Sequence, residues 1–222
     1  MLPWELLDTA TTPDGEGALT LNRRGDEYAI RIDGRELMSS RLHGSEESLA
    51  ELGCAAVGKS ACRVLVGGLG MGFTLAACNQ VLNDQAHIEV AELLPAVVSW
   101  NHGELGLLAG YPLNDPRVTV HAIDVRGMIE AAEGLYDVIL LDVDNGPEGL
   151  TQKSNSWLYR PKGLRRCHQA LTPHGVLAVW SVHPDDAFAV RLEAQGFEVS
   201  THRVGARGGR RGTQHTIWIA RR

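Results

Sequence analysis

The stretch R-V-L-V-G-G-L-G-M-G, residues 63–72, decides how the rest of the chain is interpreted. Residues 63–66 have the apolar character of a short buried strand, and residues 73–82 have helical character. Four of the six residues between them are glycine, namely Gly67, Gly68, Gly70 and Gly72. A glycine-rich turn between a strand and a helix lets the backbone approach a ligand closely and points helix N–H groups toward it. The stretch therefore predicts a ligand site at the end of a buried strand.

Strand and helix patterns alternate after this stretch, which predicts an α/β fold with a parallel sheet. The predicted strands are 63–66, 87–91, 118–123, 137–142 and 176–182, and the predicted helices are 73–82, 95–108, 126–132, 160–170 and 185–195. Two further strands, 198–204 and 215–220, follow one another without a helix. They predict an antiparallel hairpin at one edge, which makes the sheet seven-stranded and mostly parallel.

The first part of the chain, residues 1–44, has a different pattern. Strands are predicted at 18–22, 27–32 and 36–39, with turns at Arg24-Gly25-Asp26 and Asp33-Gly34. A helix at 45–56 should follow, capped by Ser45. We therefore predict two units: a small N-terminal β-hairpin unit at 1–44 and a larger ligand-binding domain at 45–222.

Composition narrows the class of protein. The chain has 222 residues, 44% of them hydrophobic and 22% charged, which is typical of a soluble globular protein. A net charge of −6 argues against broad electrostatic binding of nucleic acid or of an anionic membrane surface. The N-terminal residues M-L-P-W-E-L-L-D lack the pattern of a signal peptide, and no apolar run has the length of a membrane span.

The cysteines and histidines give no sign of a disulfide framework or a metal site. Cys54, Cys62, Cys78 and Cys167 form no C-x-x-C pair, and the histidines lack metal-ligand spacing. We therefore expect small buried thiols in a reducing compartment, no bound metal, and a cytoplasmic location.

Acidic residues follow three successive predicted strands, and together they favour an adenine nucleoside as ligand. They are Glu92, Asp124, Asp142 and Asp144. Any one of these acids alone would more often cap the next helix. Glu92, however, follows the glycine loop at roughly the 20-residue distance expected of an acid that binds ribose hydroxyls. Asp124 could accept a hydrogen bond from the adenine amine.

The spacing of the glycine loop narrows the ligand further. Phe73 stands where a dinucleotide-binding loop has its third glycine or alanine, and no Gly-Lys-Ser/Thr follows, so a phosphate-binding loop is absent. A nucleoside that carries a sulfonium and an amino acid tail fits these residues better.

The stretch from residue 63 to the C-terminus resembles the class I S-adenosylmethionine-dependent transferases, and more narrowly their spermidine synthase-like branch. The matching motifs are G-G-L-G-M-G (67–72), E-L-L-P-A-V-V (92–98), D-P-R-V (115–118) and Y-D-V-I-L-L-D (136–142), the last followed by Gly146-Pro147. The small N-terminal unit also matches that branch. The resemblance implies a Rossmann-like methyltransferase fold, a small-molecule acceptor and a homodimer.

The same resemblance implies a role for each matched residue. The glycine loop, Gly67 to Gly72, would line the amino acid and ribose part of S-adenosylmethionine or its decarboxylated form. Glu92, beside Leu93, would hold the ribose diol, and Asp124, beside Val125, would contact adenine. Asp142 would be the catalytic group that takes a proton from the attacking amine or orients it. The candidate substrate-binding residues are Asp144, Asn145, Trp157 and Tyr159, of which the two aromatic residues could equally serve only in packing.

Departures from the family pattern concern the recognition of polyamines. Gly70 stands where aminopropyltransferases carry an aspartate, Leu94 replaces a second acid, and Ser45-Glu46-Glu47 stands where they carry Tyr-His-Glu. The missing aspartate leaves room for the carboxylate of intact S-adenosylmethionine. We therefore expect methyl transfer to a small nucleophile such as an amine. The alternatives are aminopropyl transfer from decarboxylated S-adenosylmethionine, or a non-catalytic nucleoside-binding or structural homologue.

Overall fold

The computed structural model describes residues 2–12, 15, 17–57, 62–143, 155–207 and 212–222. The strands in this part of the chain are β1 Glu5–Thr11, β2 Ala18–Arg24, β3 Glu27–Ile32, β4 Arg35–Ser39, β5 Arg63–Gly67, β6 His87–Ala91, β7 Val118–His121, β8 Tyr136–Leu141, β9 Leu171–Ser181, β10 Glu198–Gly205 and β11 Gln214–Arg221. The α-helices are α1 Gly44–Ala55, α2 Phe73–Val81, α3 Pro95–His102, α4 Val125–Ala131, α5 Pro161–Ala170 and α6 Asp186–Glu193.

The seven-stranded sheet has the order β10-β11-β9-β8-β5-β6-β7. Strands β5 to β9 pair in parallel, whereas β11 is antiparallel to both β9 and β10. This arrangement confirms the predicted α/β fold and the antiparallel hairpin at one edge. Strand β5 lies between β6 and β8, so the chain changes direction across the sheet at the carboxyl end of β5. A ligand crevice is expected at that point in sheets of this kind.

The central position of β5 in the sheet explains why its sequence is a continuous apolar run. Val64 and Val66 face the core that contains α1 and α2, whereas Leu65 faces the core that contains α4 and α5. All three side chains are fully buried. Because helices cover both faces of a parallel sheet, alternation between polar and apolar residues disappears in its central strands.

A separate antiparallel sheet with the order β1-β2-β3-β4 precedes the main sheet. Its apolar side chains, including Leu19 and Ile30, belong to the same buried cluster as Leu49 of α1. This shared core explains how so small a sheet is stable. The division of the chain at residue 44 stays a prediction.

Two local expectations were wrong, and one strand was missed. Helix α1 begins at Gly44 with His43 at its N-cap position, and no side chain caps it, because the Ser45 hydroxyl bonds to His215 instead. The helix expected at 95–108 ends at His102, where the chain turns at Gly103 before a short 3₁₀ segment. Strand β1 was not anticipated.

The remaining expectations about composition concern cysteines and membranes. Cys54, Cys62, Cys78 and Cys167 are buried free thiols. Within the described ranges no helix is both long and apolar enough to cross a membrane.

Candidate active site

A cavity of about 280 Å³ lies at the carboxyl ends of β5, β6 and β8. The main sheet supplies its floor, and β2, β3 and β4 of the small sheet contribute apolar side chains above it. Seven of the predicted cofactor-binding residues line it: Gly68, Gly70, Glu92, Leu93, Asp124, Val125 and Asp142. The structure therefore brings together residues that are up to 74 positions apart in the sequence. Gly67 and Gly72 flank the loop without lining the cavity.

The glycine loop packs too closely for side chains. Gly68 has a φ of +88°, and a Cβ atom there would collide with the carbonyl oxygen of Asp142. Gly70 has a φ of +52°, and a Cβ atom there would lie 2.6 Å from Cε of Met38 in β4. Glycine tolerates this left-handed backbone without strain. The loop thus presents backbone, not side chains, to the cavity.

Glu92 follows β6 and holds the loop in place. Its Oε2 accepts a hydrogen bond from the Leu69 N–H at 2.9 Å, and its Oε1 accepts one from the Leu94 N–H at 2.8 Å. Burial raises the pKa of this carboxyl group, and the backbone hydrogen bonds oppose that shift. These backbone hydrogen bonds fix the orientation of the Glu92 carboxylate, which lines the cavity.

Asp124 follows β7 and caps α4. Its Oδ1 accepts a hydrogen bond from the Arg126 N–H at 2.8 Å. The capping role that acids at strand ends often have is therefore present, and the same residue also lines the cavity beside Val125.

Asp142 follows β8 at the centre of the cavity. Its Oδ2 accepts a hydrogen bond of 2.6 Å from the hydroxyl of Thr74, in the first turn of α2. Burial raises the pKa of Asp142 to about 6, and the Thr74 hydrogen bond opposes this shift. A carboxylate with a raised pKa is a better proton acceptor than an exposed one.

Glu46, in the first turn of α1, is a cavity residue that we did not predict. Only 6% of it is exposed, and its Oε2 has no hydrogen-bond partner among the described residues. Burial raises the pKa of Glu46 to about 9, and repulsion from Asp142 adds to the effect. The two carboxyl groups therefore share a proton near neutral pH in the ligand-free protein. The predicted helix at 45–56 did not by itself indicate that Glu46 would reach the ligand cavity.

The wall next to Glu46 is formed by His215 and Trp180. The Nδ1 atom of His215 lies 2.8 Å from the buried Ser45 hydroxyl, and its ring meets Trp180 edge-on with centroids 4.8 Å apart. Burial lowers the pKa of His215, which keeps the imidazole neutral near pH 7. The pairing of Ser45 with His215 depends on residues 170 positions apart, so no local pattern could have indicated it.

Two of the four predicted substrate-binding residues, Trp157 and Tyr159, are described by the structure, and neither lines the cavity. Asp144 and Asn145 lie outside the described residues. The ring of Trp157 lies 4.6 Å from the Arg126 guanidinium, and Tyr159 is buried and donates a hydrogen bond to the Val143 carbonyl. A role for these four residues with the substrate stays a prediction.

The cavity is strongly acidic. Its described lining contains five carboxyl groups and no lysine or arginine. The five acids are Glu36, Glu46, Glu92, Asp124 and Asp142. Such a site attracts cations and disfavours a ligand that carries its own carboxylate. Within the described part of the chain, no cluster of three or more histidine, cysteine or acidic residues could hold a metal ion.

A curated protein resembles part of this chain in sequence. No protein-family model matches it. The chain is 27% identical over 123 residues to the polyamine aminopropyltransferase of Prochlorococcus marinus (strain MIT 9215), a match that covers 55% of this chain and 41% of that protein. The chain thus matches about two fifths of the length of this curated relative.

Solved structures that resemble the chain are spermidine synthases. The enzyme from Thermotoga maritima superposes with a TM-score of 0.76 at 15% identity, over 97% of this chain and 72% of that one. A spermidine synthase in complex with the transition-state analogue AdoDATO gives 0.75 at 16% identity, with the same coverage. A probable spermidine synthase from Corynebacterium glutamicum ATCC 13032 gives 0.62 at 17% identity, over 98% of this chain and 79% of that one.

These relatives confirm the resemblance to the spermidine synthase-like branch and the Rossmann-like methyltransferase fold. The expectation of methyl transfer, however, is wrong. The curated relative is an aminopropyltransferase, and the similar structures are spermidine synthases. The absence of an aspartate at position 70 was therefore not a sufficient reason to prefer intact S-adenosylmethionine.

Proposed function

We propose that this protein is an aminopropyltransferase, which transfers the aminopropyl group of decarboxylated S-adenosylmethionine to a small amine. The acidity of the cavity supports this function best, since no lysine or arginine occurs in its described lining. The decarboxylated donor carries two positive charges, on its sulfonium and its terminal ammonium, and no carboxylate. Intact S-adenosylmethionine would add a further carboxylate to a cavity that already has five.

The donor would be held by the residues at the strand ends. Glu92 would accept hydrogen bonds from the ribose diol, because it lines the cavity and backbone N–H groups fix the orientation of its carboxylate. Asp124 and Val125 line the part of the cavity that would take the adenine ring. The backbone of Gly68 and Gly70 leaves space for the chain that leads to the sulfonium.

Asp142 would act as the base. The acceptor must be a neutral amine to attack, so an ammonium first loses a proton to the Asp142 carboxylate. The nitrogen then attacks the carbon bonded to the sulfonium sulfur, the new C–N bond forms as the C–S bond breaks, and methylthioadenosine leaves. Thr74 fixes the orientation of Asp142 through its hydrogen bond, and alignment of the two reactants would supply much of the acceleration.

The acceptor we propose is a diamine or polyamine. The small sheet contributes Leu19, Ile30, Ile32 and Leu37 to the cavity, and this apolar surface suits the methylene chain between two amines. Assembly as a homodimer is also a proposal, which size-exclusion chromatography with light scattering would test.

Isothermal titration calorimetry with three ligands tests the proposal. Decarboxylated S-adenosylmethionine should bind most tightly, methylthioadenosine should bind, and S-adenosylmethionine should bind more weakly than the decarboxylated form. Incubation with a diamine should then give methylthioadenosine and the aminopropylated amine by mass spectrometry. Tighter binding of S-adenosylmethionine would contradict the proposed donor. Binding without turnover of any diamine would favour a non-catalytic nucleoside-binding protein.

A further inference from the structure

The terminal ammonium of the donor needs a carboxylate partner, and four of the five acids in the cavity are poorly placed to be the main one. Both oxygens of Glu92 and one of Asp124 are bound by backbone N–H groups at the nucleoside end. Asp142 accepts the Thr74 hydroxyl and faces the reacting atoms in the proposed reaction. Glu36 is exposed on β4.

Glu46 has the opposite properties. Its side chain is buried, it lines the cavity, and its Oε2 lacks a hydrogen-bond partner among the described residues. A buried carboxyl oxygen without a partner is costly and usually marks a site where a ligand or ion completes the hydrogen bonding. An ammonium group supplies three donors and a positive charge. Glu46 is thus the acid whose surroundings are incomplete without a cation.

The glycine loop cannot supply this charge in its present packing. The space that a side chain at Gly70 would enter is occupied by the terminal methyl group and sulfur of Met38. Met38 comes from β4, and Glu46 comes from α1, the next element in the chain. The carboxylate therefore approaches the cavity from α1, whereas the loop contributes only backbone there.

We propose that Glu46 is a specificity-determining residue that binds the terminal ammonium of decarboxylated S-adenosylmethionine and thereby selects it over the intact cofactor. This inference rests on the proposed aminopropyl transfer. Glu46 would hold the ammonium at the end of the transferred group, while Asp142 serves the incoming amine.

Binding of the donor should change the protonation of the acidic pair. In the empty cavity burial and repulsion keep a proton on the pair, since both raise the pKa of Glu46. A bound ammonium favours the ionised carboxylate. The donor should therefore release a proton when it binds near neutral pH, whereas methylthioadenosine, which lacks the ammonium, should not.

The variant Glu46→Gln tests this assignment because it removes the charge and keeps the volume. We expect calorimetry to show roughly 10- to 100-fold weaker binding of the decarboxylated donor, the loss typical of a charge-assisted hydrogen bond. Binding of methylthioadenosine should change less than about threefold. The matched control is Glu47→Gln on the same helix, whose side chain is 44% exposed and pairs with His43 outside the cavity. It should leave both affinities unchanged.

Proton release gives a second readout, which a purely structural role of Glu46 would not affect. Titrations in buffers of different ionisation enthalpy should show proton release on donor binding in the wild type and its loss in Glu46→Gln. Thermal melting should show that the variant is folded.

Three results would overturn the assignment. Equal weakening of donor and methylthioadenosine would mean that Glu46 only maintains the shape of the cavity. Unchanged affinities in Glu46→Gln, with a wild type that binds and uses the decarboxylated donor, would refute the role of Glu46 and leave the proposed function standing. A wild type that does not bind the decarboxylated donor would refute both.

Discussion

Glu46 should control how the stability of the ligand-free protein depends on pH. Its pKa is raised from 4.5 to about 9 by burial and by Asp142, so between these values the folded chain holds a proton that the unfolded chain has lost. The stability that this bound proton gives the folded chain is fully present below pH 4.5 and is lost as the pH rises through about 9. One such proton lowers the free energy of unfolding by about 1.4 kcal/mol per pH unit, or about 3 kcal/mol between pH 6 and pH 8.

Urea unfolding of the wild type and of Glu46→Gln at pH 6 and pH 8 measures this contribution. The variant lacks the titrating group, so its stability relative to the wild type should rise by about 3 kcal/mol between the two pH values. At pH 6 the side chain at position 46, next to Asp142, is neutral in both proteins. The other titrating groups behave alike in both proteins, so their contributions cancel when the two free energies of unfolding are subtracted. Glu47→Gln removes a charge that contributes less than burial and Asp142 to the raised pKa of Glu46, so its pH dependence should stay close to that of the wild type. If the curves of wild type and Glu46→Gln stay parallel, Glu46 is ionised in the empty cavity and the acidic pair does not share a proton.

Three further predictions concern binding and turnover. Asp142→Asn should lower kcat by about 10²- to 10⁴-fold, which is the usual contribution of a general base. The affinity for methylthioadenosine should stay within a few-fold of the wild-type value. Unchanged turnover would exclude Asp142 as the base. Glu92→Gln keeps one acceptor oxygen but places an amide N–H₂ against one of the two backbone N–H groups that Glu92 now accepts. Calorimetry should therefore show about tenfold weaker methylthioadenosine binding, and urea unfolding should show a loss of about 1–3 kcal/mol. An unaffected affinity would rule out the ribose contact. Adding Gly70→Asp and Met38→Ala to Glu46→Gln should restore part of the lost donor affinity. Met38→Ala vacates the space that the new carboxylate needs, and aspartate is one of the few residues that adopt the left-handed backbone found at position 70. A triple variant that melts like Glu46→Gln but shows no recovery would mean that a charge at position 70 cannot replace one at 46.

The main sheet could be predicted because its strands carry their own signal. The apolar run around Leu65, buried on both faces, is typical of a central parallel strand. Strand β1 has no such signal: most of its side chains are exposed, and it forms because its backbone pairs with β2. One of its few fixed side-chain contacts is with a distant residue, since Asp8 accepts a hydrogen bond of 2.6 Å from the Trp100 indole. The formation of β1 therefore depends on β2 and Trp100, which the local sequence pattern of β1 does not contain.

The nucleoside side of the cavity could be predicted for a related reason. Glu92 and Asp142 directly follow parallel strands, and Asp124 lies three residues beyond β7. Topology alone brings the ends of such strands to one edge. The other side is built by elements outside that topology. Glu46 comes from α1, which packs against α2 and β9, and Met38 comes from β4 of the small sheet, which shares a core with the main one.

The incorrect expectation of methyl transfer also arose because one motif was considered without the elements that pack over it. Gly70 stands where aminopropyltransferases carry an aspartate, and the room that it leaves for a carboxylate favours intact S-adenosylmethionine when that position is considered alone. An ammonium, however, responds to the potential at its own position, to which a carboxylate contributes wherever in the chain it originates. Met38 fills the space beside Gly70, and Glu46 brings a buried carboxylate into the same cavity from α1. The loss of one acid from a motif therefore does not by itself indicate a change of ligand. The elements that pack over the motif can supply a different acidic residue to the same cavity.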